Sequence, residues 1–512
     1  MKRVSFIDLG SNSVRFVIME IADNGSYQLI YQQKESIRLS ENMWTHNRLT
    51  EEAIQRALSS MKAFSHMAEA MDSHEIYAVA TAAVRLAHNG GEFIERVKEE
   101  TGIDLVCISG EEEAHLGFLG VINTIGLRDF VLFDLGGASV EVTLVRDRQA
   151  LRSVSLPMGA LTLTGKFQSG KEMSGEERLR MQAYIQELLS DEEWLAGVGL
   201  PLVGIGGTAR NLAKMDQRAH EYPIAKLHNY ELTRERLEAI YRQVCNKTLA
   251  QRRKISGLSQ ERADIIIAGT ALIIELMDYT KASAMRVSGC GLREGLFYRY
   301  YGENYMNPDG IIDNILLHSA ENVLLGMPQN DLIHAKYIAR LTDMLYEQWQ
   351  SLHGGDDRMR ELLRVAALLH DIGKRINYYS HARHSAYMIV NSNLYGISHY
   401  EQAMCSFMAA DSHGANSKYM KISPYGRLLS DDDKGVVHRI SMMLALAEAI
   451  DESHEQATVS VSTVIKDDAV ELTVWTKHGV NTSIAEVAVN KLLKQFKKEY
   501  KRTLHVKWCE AL

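Results

Sequence analysis

At 512 residues the chain exceeds what one hydrophobic core supports and predicts three or four domains. A composition of 46% hydrophobic and 24% charged residues is that of a soluble globular protein, and the formal net charge of -8 excludes bulk nucleic-acid binding through a global basic surface. The five cysteines, Cys107, Cys245, Cys290, Cys405 and Cys509, form no CxxC pair and read as reduced packing residues in a cytoplasm. No membrane span is expected: Asp8 and Arg15 break the N-terminal apolar run, no cleavage site follows it, and the stretch 265–277 is short and interrupted by Glu275.

In chain order, residues 4–9 read as a buried strand, 10–13 as a tight polar turn and 14–21 as a second strand. After the turn Asp23-Asn-Gly-Ser26 a third strand runs from Tyr27 toward Lys34. Thr50 is placed to cap a helix that has Glu51 and Glu52 in its first turn and continues toward Met71. A strand over 75–80, the segment Thr81-Ala-Ala-Val-Arg85, a helix near 92–101 and a strand over 104–109 follow. Phe130 opens a second pass, with strands at 130–134, 139–145 and 150–156, and Pro201-Leu-Val-Gly-Ile-Gly-Gly-Thr208 running into a helix; both halves are α/β. From Tyr305-Met-Asn-Pro-Asp-Gly310 onward the pattern is helical, and from about Thr458 two alternating strands, a helix and a last strand close the chain.

The stretch Phe6-Ile-Asp-Leu-Gly-Ser-Asn-Ser-Val-Arg-Phe16 sets an acid and a small-residue loop between two apolar runs. Gly10 lets backbone approach an anion, Ser11, Asn12 and Ser13 add donors, and Asp8 can orient a divalent cation. A plain hairpin turn accounts for one such loop. Its recurrence as Phe133-Asp-Leu-Gly-Gly-Ala-Ser-Val-Glu-Val142 points instead to two related domains facing one cleft, with Gly136, Gly137, Ala138 and Ser139 as the second phosphate loop and Asp8, Asp134 and Glu141 as metal-binding carboxylates. Ser109-Gly-Glu-Glu-Glu-Ala114 opens a helix with three acids, which suits the helix dipole.

Together with Gly204-Ile-Gly-Gly-Thr208 and Ser288-Gly-Cys-Gly-Leu-Arg-Glu-Gly295, these motifs resemble, in order, the exopolyphosphatase and guanosine pentaphosphate phosphohydrolase family, over roughly residues 1–303. The resemblance implies two actin-like domains of ribonuclease H-like fold. By it Glu113 is the catalytic base, with Glu112 as the second choice, Arg85 is a phosphate-binding arginine, and Mg2+ is the cleft cofactor. Ala138 stands where the family usually has Gly, and Gly289 where an Asp is common.

The helical part carries His334, then His370-Asp371, then Asp451, which resembles the HD metal-dependent phosphohydrolase pattern and implies a second divalent metal. His384 and His413 are candidates for a second shell or a second metal. Near the end Lys491, Lys494, Lys498 and Lys501 recur at helical spacing opposite Leu493, Phe496 and Tyr500. Such a stripe is an ordinary solvated helix face or a track for long polyphosphate.

The expected architecture is therefore actin-like domain I over 1–125, actin-like domain II over 126–303, an all-α HD-like domain over 304–456 and a small α/β module over 457–512. The expected activity is exopolyphosphatase, with pppGpp 5'-phosphohydrolase as the alternative and an actin-like nucleotide-binding regulator as a reading from another class. No nucleic-acid or membrane partner is expected, and relatives imply a homodimer.

Overall fold

Apolar alternation places β1 at Lys2–Leu9, β2 at Ser13–Ile21, β3 at Tyr27–Ser36, β4 at Glu75–Ala80 and β5 at Leu105–Cys107 in a computed structural model that describes every residue except 42, 44–46, 169–171, 308, 415, 416 and 512, and the side chains of 330 and 417. Pro308, in the expected boundary segment, thus lies outside the described residues. The chain divides into two compact units, Met1–Asp313 and Asn314–Leu512.

The first unit holds two sheets built to one plan. In the first, of order β3-β2-β1-β4-β5, β1 pairs antiparallel with β2 and parallel with β4. The second comprises β6 (Phe130–Leu135), β7 (Val140–Arg146), β8 (Gln149–Leu156), β9 (Leu202–Ile205), β10 (Tyr230–Thr233) and β11 (Ala284–Val287), in the order β10-β11-β9-β6-β7-β8. There β6 pairs antiparallel with β7 and parallel with β9, so β6 repeats the part of β1. The register carries the repeat to single residues: Asp8 lies opposite Arg15, and Asp134 opposite Glu141.

Helices seal each sheet. Helix Glu51–Ala70, capped by Thr50, buries Met61 and Phe64 over the first sheet, with Phe64 stacked on Phe16 at 4.9 Å between ring centroids. Helix Ile266–Thr280 is apolar all round because it is buried among the helices over the second sheet. Helix Gly110–Ile122 packs along helix Leu292–Tyr305 through bare backbone: a Cβ on Gly120 would lie 2.1 Å from the Gly291 carbonyl oxygen, and one on Gly295 1.9 Å from that of Leu116. Only glycine at both points permits this approach.

In the second unit, helices including Gln329–Gln348, Asp357–Leu369, His399–Ala410 and Asp431–Ile450 share a core with β12 (Thr458–Ile465), β13 (Ala469–Thr476) and β14 (Thr503–Glu510). β12 and β13 are antiparallel, and β13 and β14 parallel across helix Ser483–Tyr500. Fully buried Trp349 meets Phe496 and Tyr500 edge-on, so the C-terminal sheet and the helical layer form one core, where separate domains over 304–456 and 457–512 were expected. Among the described residues, no helix is long and apolar enough to cross a membrane.

Candidate active site

The two Asp-Leu-Gly strand ends deliver their loops to one cavity of about 120 Å3 in the first unit. Each loop closes the same way: Gly10 N–H donates to Ser13 O at 3.2 Å, and Gly136 N–H to Ser139 O at 3.0 Å. Among the described residues, no backbone carbonyl accepts from the N–H groups of Ser11, Asn12, Gly137 or Ala138, which leaves two pairs of donors beside the cavity. Gly206, at the strand-to-helix turn after β9, has φ +96°, and a Cβ there would lie 2.6 Å from Leu135 O. The Gly-Ile-Gly-Gly run thus fits a third backbone segment against the β6 loop.

Asp8, Asp134, Glu141 and Glu113 all line this cavity. Ser109 caps helix Gly110–Ile122 by accepting from Glu112 N–H at 3.1 Å, which fixes where the first turn starts and which acid faces inward. Glu113 faces the cavity. Glu112 instead accepts from Arg299 at 2.8 Å and is absent from the cavity wall.

Burial governs the acids. It pushes the Glu113 carboxyl up to about 8, with Glu141 and Asp134 adding to the rise and Arg85 opposing it. Burial and the neighbouring Glu141 bring Asp134 to about 7, and burial raises Asp8 despite the charge of Arg15. Glu141 is raised by burial although Ser139 and Ser155 donate to the same oxygen, Oε1, at 2.7 and 2.8 Å. Carboxylates held back from ionising in this way have unmet demand for positive charge, and an all-oxygen donor set suits Mg2+ or another hard cation. Among the described residues, these acids do not gather within 4.8 Å in groups of three.

Arg85, the expected phosphate-binding arginine, is tied to the proposed base. Its Nη1 donates to Glu113 Oε2 at 3.1 Å and to Ile108 O at 2.8 Å, and it is absent from the cavity wall. Arg15, Arg210 and Arg262 line the cavity instead, and all three also line an adjoining one of about 610 Å3 together with Lys34 and Arg293. Among the described residues, no carboxylate bonds to Arg15, Arg210 or Arg262. Burial, with Arg15 nearby, lowers Arg210 to about 9 and also lowers Arg262. Gly207 makes room for this group, since a Cβ there would lie 2.1 Å from the Arg262 guanidinium. Sequence reading passed over Arg210 and Arg262; the one available signal was Arg210 two residues beyond Gly-Gly-Thr208.

In the second unit, His334, His370, Asp371 and Glu448 bring one donor atom each within 4.8 Å of one another, and all four are buried. Glu448 Oε2 lies 3.2 Å from His334 Nε2 and 3.0 Å from His370 Nε2. Against the pull of burial, Asp451 and Glu448 raise His334 to about 9. The expected ligand Asp451 sits on the other side of His334, accepting from Nδ1 at 3.2 Å; Glu448, less than one helical turn earlier, takes the inner position. Asp371, His381 and His413 form an adjacent group to which His384 does not belong. Lys491, Lys494, Lys498 and Lys501 are exposed on or at the end of helix Ser483–Tyr500, whose Leu492, Phe496 and Tyr500 are buried.

Residues 17–303 match the Ppx/GppA phosphatase family, and residues 324–495 match Ppx/GppA phosphatase domain III. The chain is similar to an exopolyphosphatase from Cytophaga hutchinsonii, with 28% identity and a TM-score of 0.55 over 59% of this chain and 98% of that one. It is also similar to the Aquifex aeolicus member of the Ppx/GppA family, with 28% identity and a TM-score of 0.52 over 59% of this chain and 99% of that one.

Proposed function

The chain belongs to the Ppx/GppA phosphatase family, a family of phosphohydrolases, and from that premise we propose that it releases terminal orthophosphate from inorganic polyphosphate. The observation that carries this reading is a carboxyl group, Glu113, poised near neutrality in the cavity that both Asp-Leu-Gly loops line.

Phosphoryl hydrolysis asks the protein to neutralise charge and to set a water in line with the bond that breaks. The free N–H groups of Ser11, Asn12, Gly137 and Ala138 receive the terminal phosphoryl oxygens, with Gly10, Ser13, Gly136 and Ser139 holding the loop shape. Glu113 takes the proton of the attacking water, and Arg85 fixes the rotamer and ionisation of Glu113. Arg15, Arg210 and Arg262 take the phosphates that follow, which suits a chain of repeated negative charge. Asp8, Asp134 and Glu141 would hold Mg2+, which when bound would supply positive charge against the phosphoryl oxygens.

The second unit is read as an HD-type domain binding a further divalent metal through His334, His370 and Asp371, with Glu448 as an added ligand and Asp451 orienting His334. The exposed lysines of helix Ser483–Tyr500 serve as an accessory contact for long chains, a role that makes long-chain turnover fall with salt. The protein works in the cytoplasm as a homodimer, without nucleic-acid partners.

The test offers long polyphosphate, short polyphosphate, pppGpp and ATP to the purified protein and measures released phosphate. The highest kcat/KM on long polyphosphate is expected. A preference for pppGpp would replace the substrate while keeping the chemistry, and tight ATP binding without phosphate release would favour a regulatory protein.

A further inference from the structure

Each of the two phosphate loops is held by a later segment of chain that takes up its carbonyl oxygens. In the first loop Ser11 O accepts from Ser40 N–H at 3.1 Å and from Ser40 Oγ at 3.3 Å, and Asn12 O accepts from Ile37 N–H at 3.2 Å and Arg38 N–H at 2.9 Å. Arg38 takes φ +43°, a turn conformation in which successive N–H groups converge on one oxygen. In the second loop Gly136 O accepts from Ala160 N–H at 3.1 Å, and Gly137 O from the N–H groups of Leu161 and Thr162 at 2.9 and 3.1 Å. These donors open helix Ala160–Phe167, whose first N–H groups have no acceptor within the helix. The Thr162 hydroxyl donates to Ala138 O at 3.0 Å, the shorter of its two loop contacts, the other being Gly137 O at 3.4 Å. Gly159 permits the approach, since a Cβ there would lie 2.3 Å from the carbonyl carbon and oxygen of Gly137.

The two clamps act at equivalent places. Asp8 and Asp134 hold the same position in their strands, so Ser11 corresponds to Gly137 and Asn12 to Ala138. Within one trans peptide unit, the C=O of a residue and the N–H of the next point in opposite directions. A carbonyl held by the clamp therefore turns the following N–H away from the clamp: Ser11 O sets the direction of Asn12 N–H, Gly136 O that of Gly137, Gly137 O that of Ala138 and Ala138 O that of Ser139. Asn12, Gly137, Ala138 and Ser139 all line the cavity, and among the described residues no backbone carbonyl accepts from their N–H groups.

We propose that Thr162 and Ser40 are positioning residues for phosphoryl hydrolysis: through their hydroxyls they hold the peptide planes of the two loops so that the N–H groups of Ser139 and Asn12 stay aimed at the phosphoryl oxygens. This rests on the reading of the loops as the phosphate cradle and adds Ser139 N–H to its donors. Donors fixed in advance act on the charge that develops in the transition state without reorganising during the step. A peptide plane left free to rotate would present its carbonyl oxygen, which repels phosphate, in place of its N–H. Removing the Ser40 hydroxyl leaves the backbone bond to Ser11 O, whereas among the described residues Ala138 O accepts from Thr162 alone, so the larger effect belongs to Thr162.

The experiment prepares full-length Thr162→Val, Thr162→Ser and Ser40→Ala. It measures kcat and KM for phosphate release from long polyphosphate with Mg2+, and the affinity for orthovanadate, a mimic of the transferring phosphoryl group, by titration calorimetry. Thr162→Val is expected to lower kcat about three- to tenfold, the worth of one neutral hydrogen bond, with KM held within about twofold. Orthovanadate affinity is expected to fall by the same factor, Thr162→Ser to restore both, and Ser40→Ala to show a smaller loss of the same kind. Denaturant melts put every value on folded protein, so a residue that only supports the fold would lower the melt and leave kcat and vanadate affinity of the folded fraction at wild-type values. That result in Thr162→Val, beside an active wild type, would overturn the proposal while the substrate reading stands. A wild type that releases no phosphate from polyphosphate yet binds orthovanadate more tightly than Thr162→Val does would overturn the substrate reading and support the clamp. No orthovanadate binding by the wild type would overturn the clamp.

Discussion

Arg85 Nη1 donates to Glu113 Oε2 at 3.1 Å and to the backbone oxygen of Ile108 at 2.8 Å, tying the carboxylate of helix Gly110–Ile122 to the segment that precedes it. The pair sets the pH at which the proposed base is ready. A base must be ionised, and burial keeps Glu113 protonated up to about 8, with Arg85 the main opposing influence. The expected profile of kcat/KM is a rise with pH that levels near 8. Arg85→Ala removes the opposing charge and moves that limb to higher pH, while Arg85→Lys restores part of it. A profile unchanged in Arg85→Ala would mean that the limb belongs to another group.

The same acid bears on stability. Its carboxyl is raised in the folded state, so between the ordinary carboxylate range and about 8 the folded chain binds more protons than the unfolded one. Stability then falls as pH rises through that window, by up to about 1.4 kcal/mol per pH unit for one group. Glu113→Gln cannot ionise. Its melting temperature should match the wild type near pH 5 and exceed it near pH 8, as read by differential scanning calorimetry.

Arg210 and Arg262 line both cavities and have no carboxylate partner among the described residues. Replacing either by Ala should raise KM for polyphosphate about tenfold or more, since a hydrogen bond to a charged group is worth about 1.5–3 kcal/mol, with a smaller change in kcat. A fall in kcat at constant KM would place these arginines at the reacting phosphate instead.

Gly295→Ala tests how the base is positioned. The added Cβ would meet Leu116 O at 1.9 Å and must push helix Leu292–Tyr305 off the helix carrying Glu113. A destabilisation of about 1–3 kcal/mol is expected from such overpacking, with a loss of kcat beyond what unfolding explains. Denaturant melts alongside kinetics on the folded fraction separate the two.

The strands and the repeat were legible in the sequence because β1, β2, β6 and β7 are short apolar runs that end in Asp-Leu-Gly or begin at Ser-Val. The register places Asp8 and Asp134 equivalently, as the repeat implied. Arg210 and Arg262 were not legible, because each comes from a helix or turn distant in sequence and only the tertiary fold gathers them. Glu448, and not the expected Asp451, lies against both His334 and His370 for a local reason. Three residues apart at the end of helix Asp431–Ile450, both meet His334, and sequence spacing does not say which carboxylate lies inside. The roles of Gly295 and Gly120 also required the structure, since close backbone contact between two helices leaves only glycine as its trace.

The most direct measurement is the rate of phosphate release from long polyphosphate by Glu113→Gln, in the presence of Mg2+, beside its equilibrium affinity for the same substrate. Loss of a general base predicts a fall in kcat of about 100-fold or more with affinity held within a few-fold. Release at the wild-type rate by the folded variant would contradict the assignment of Glu113 as the base.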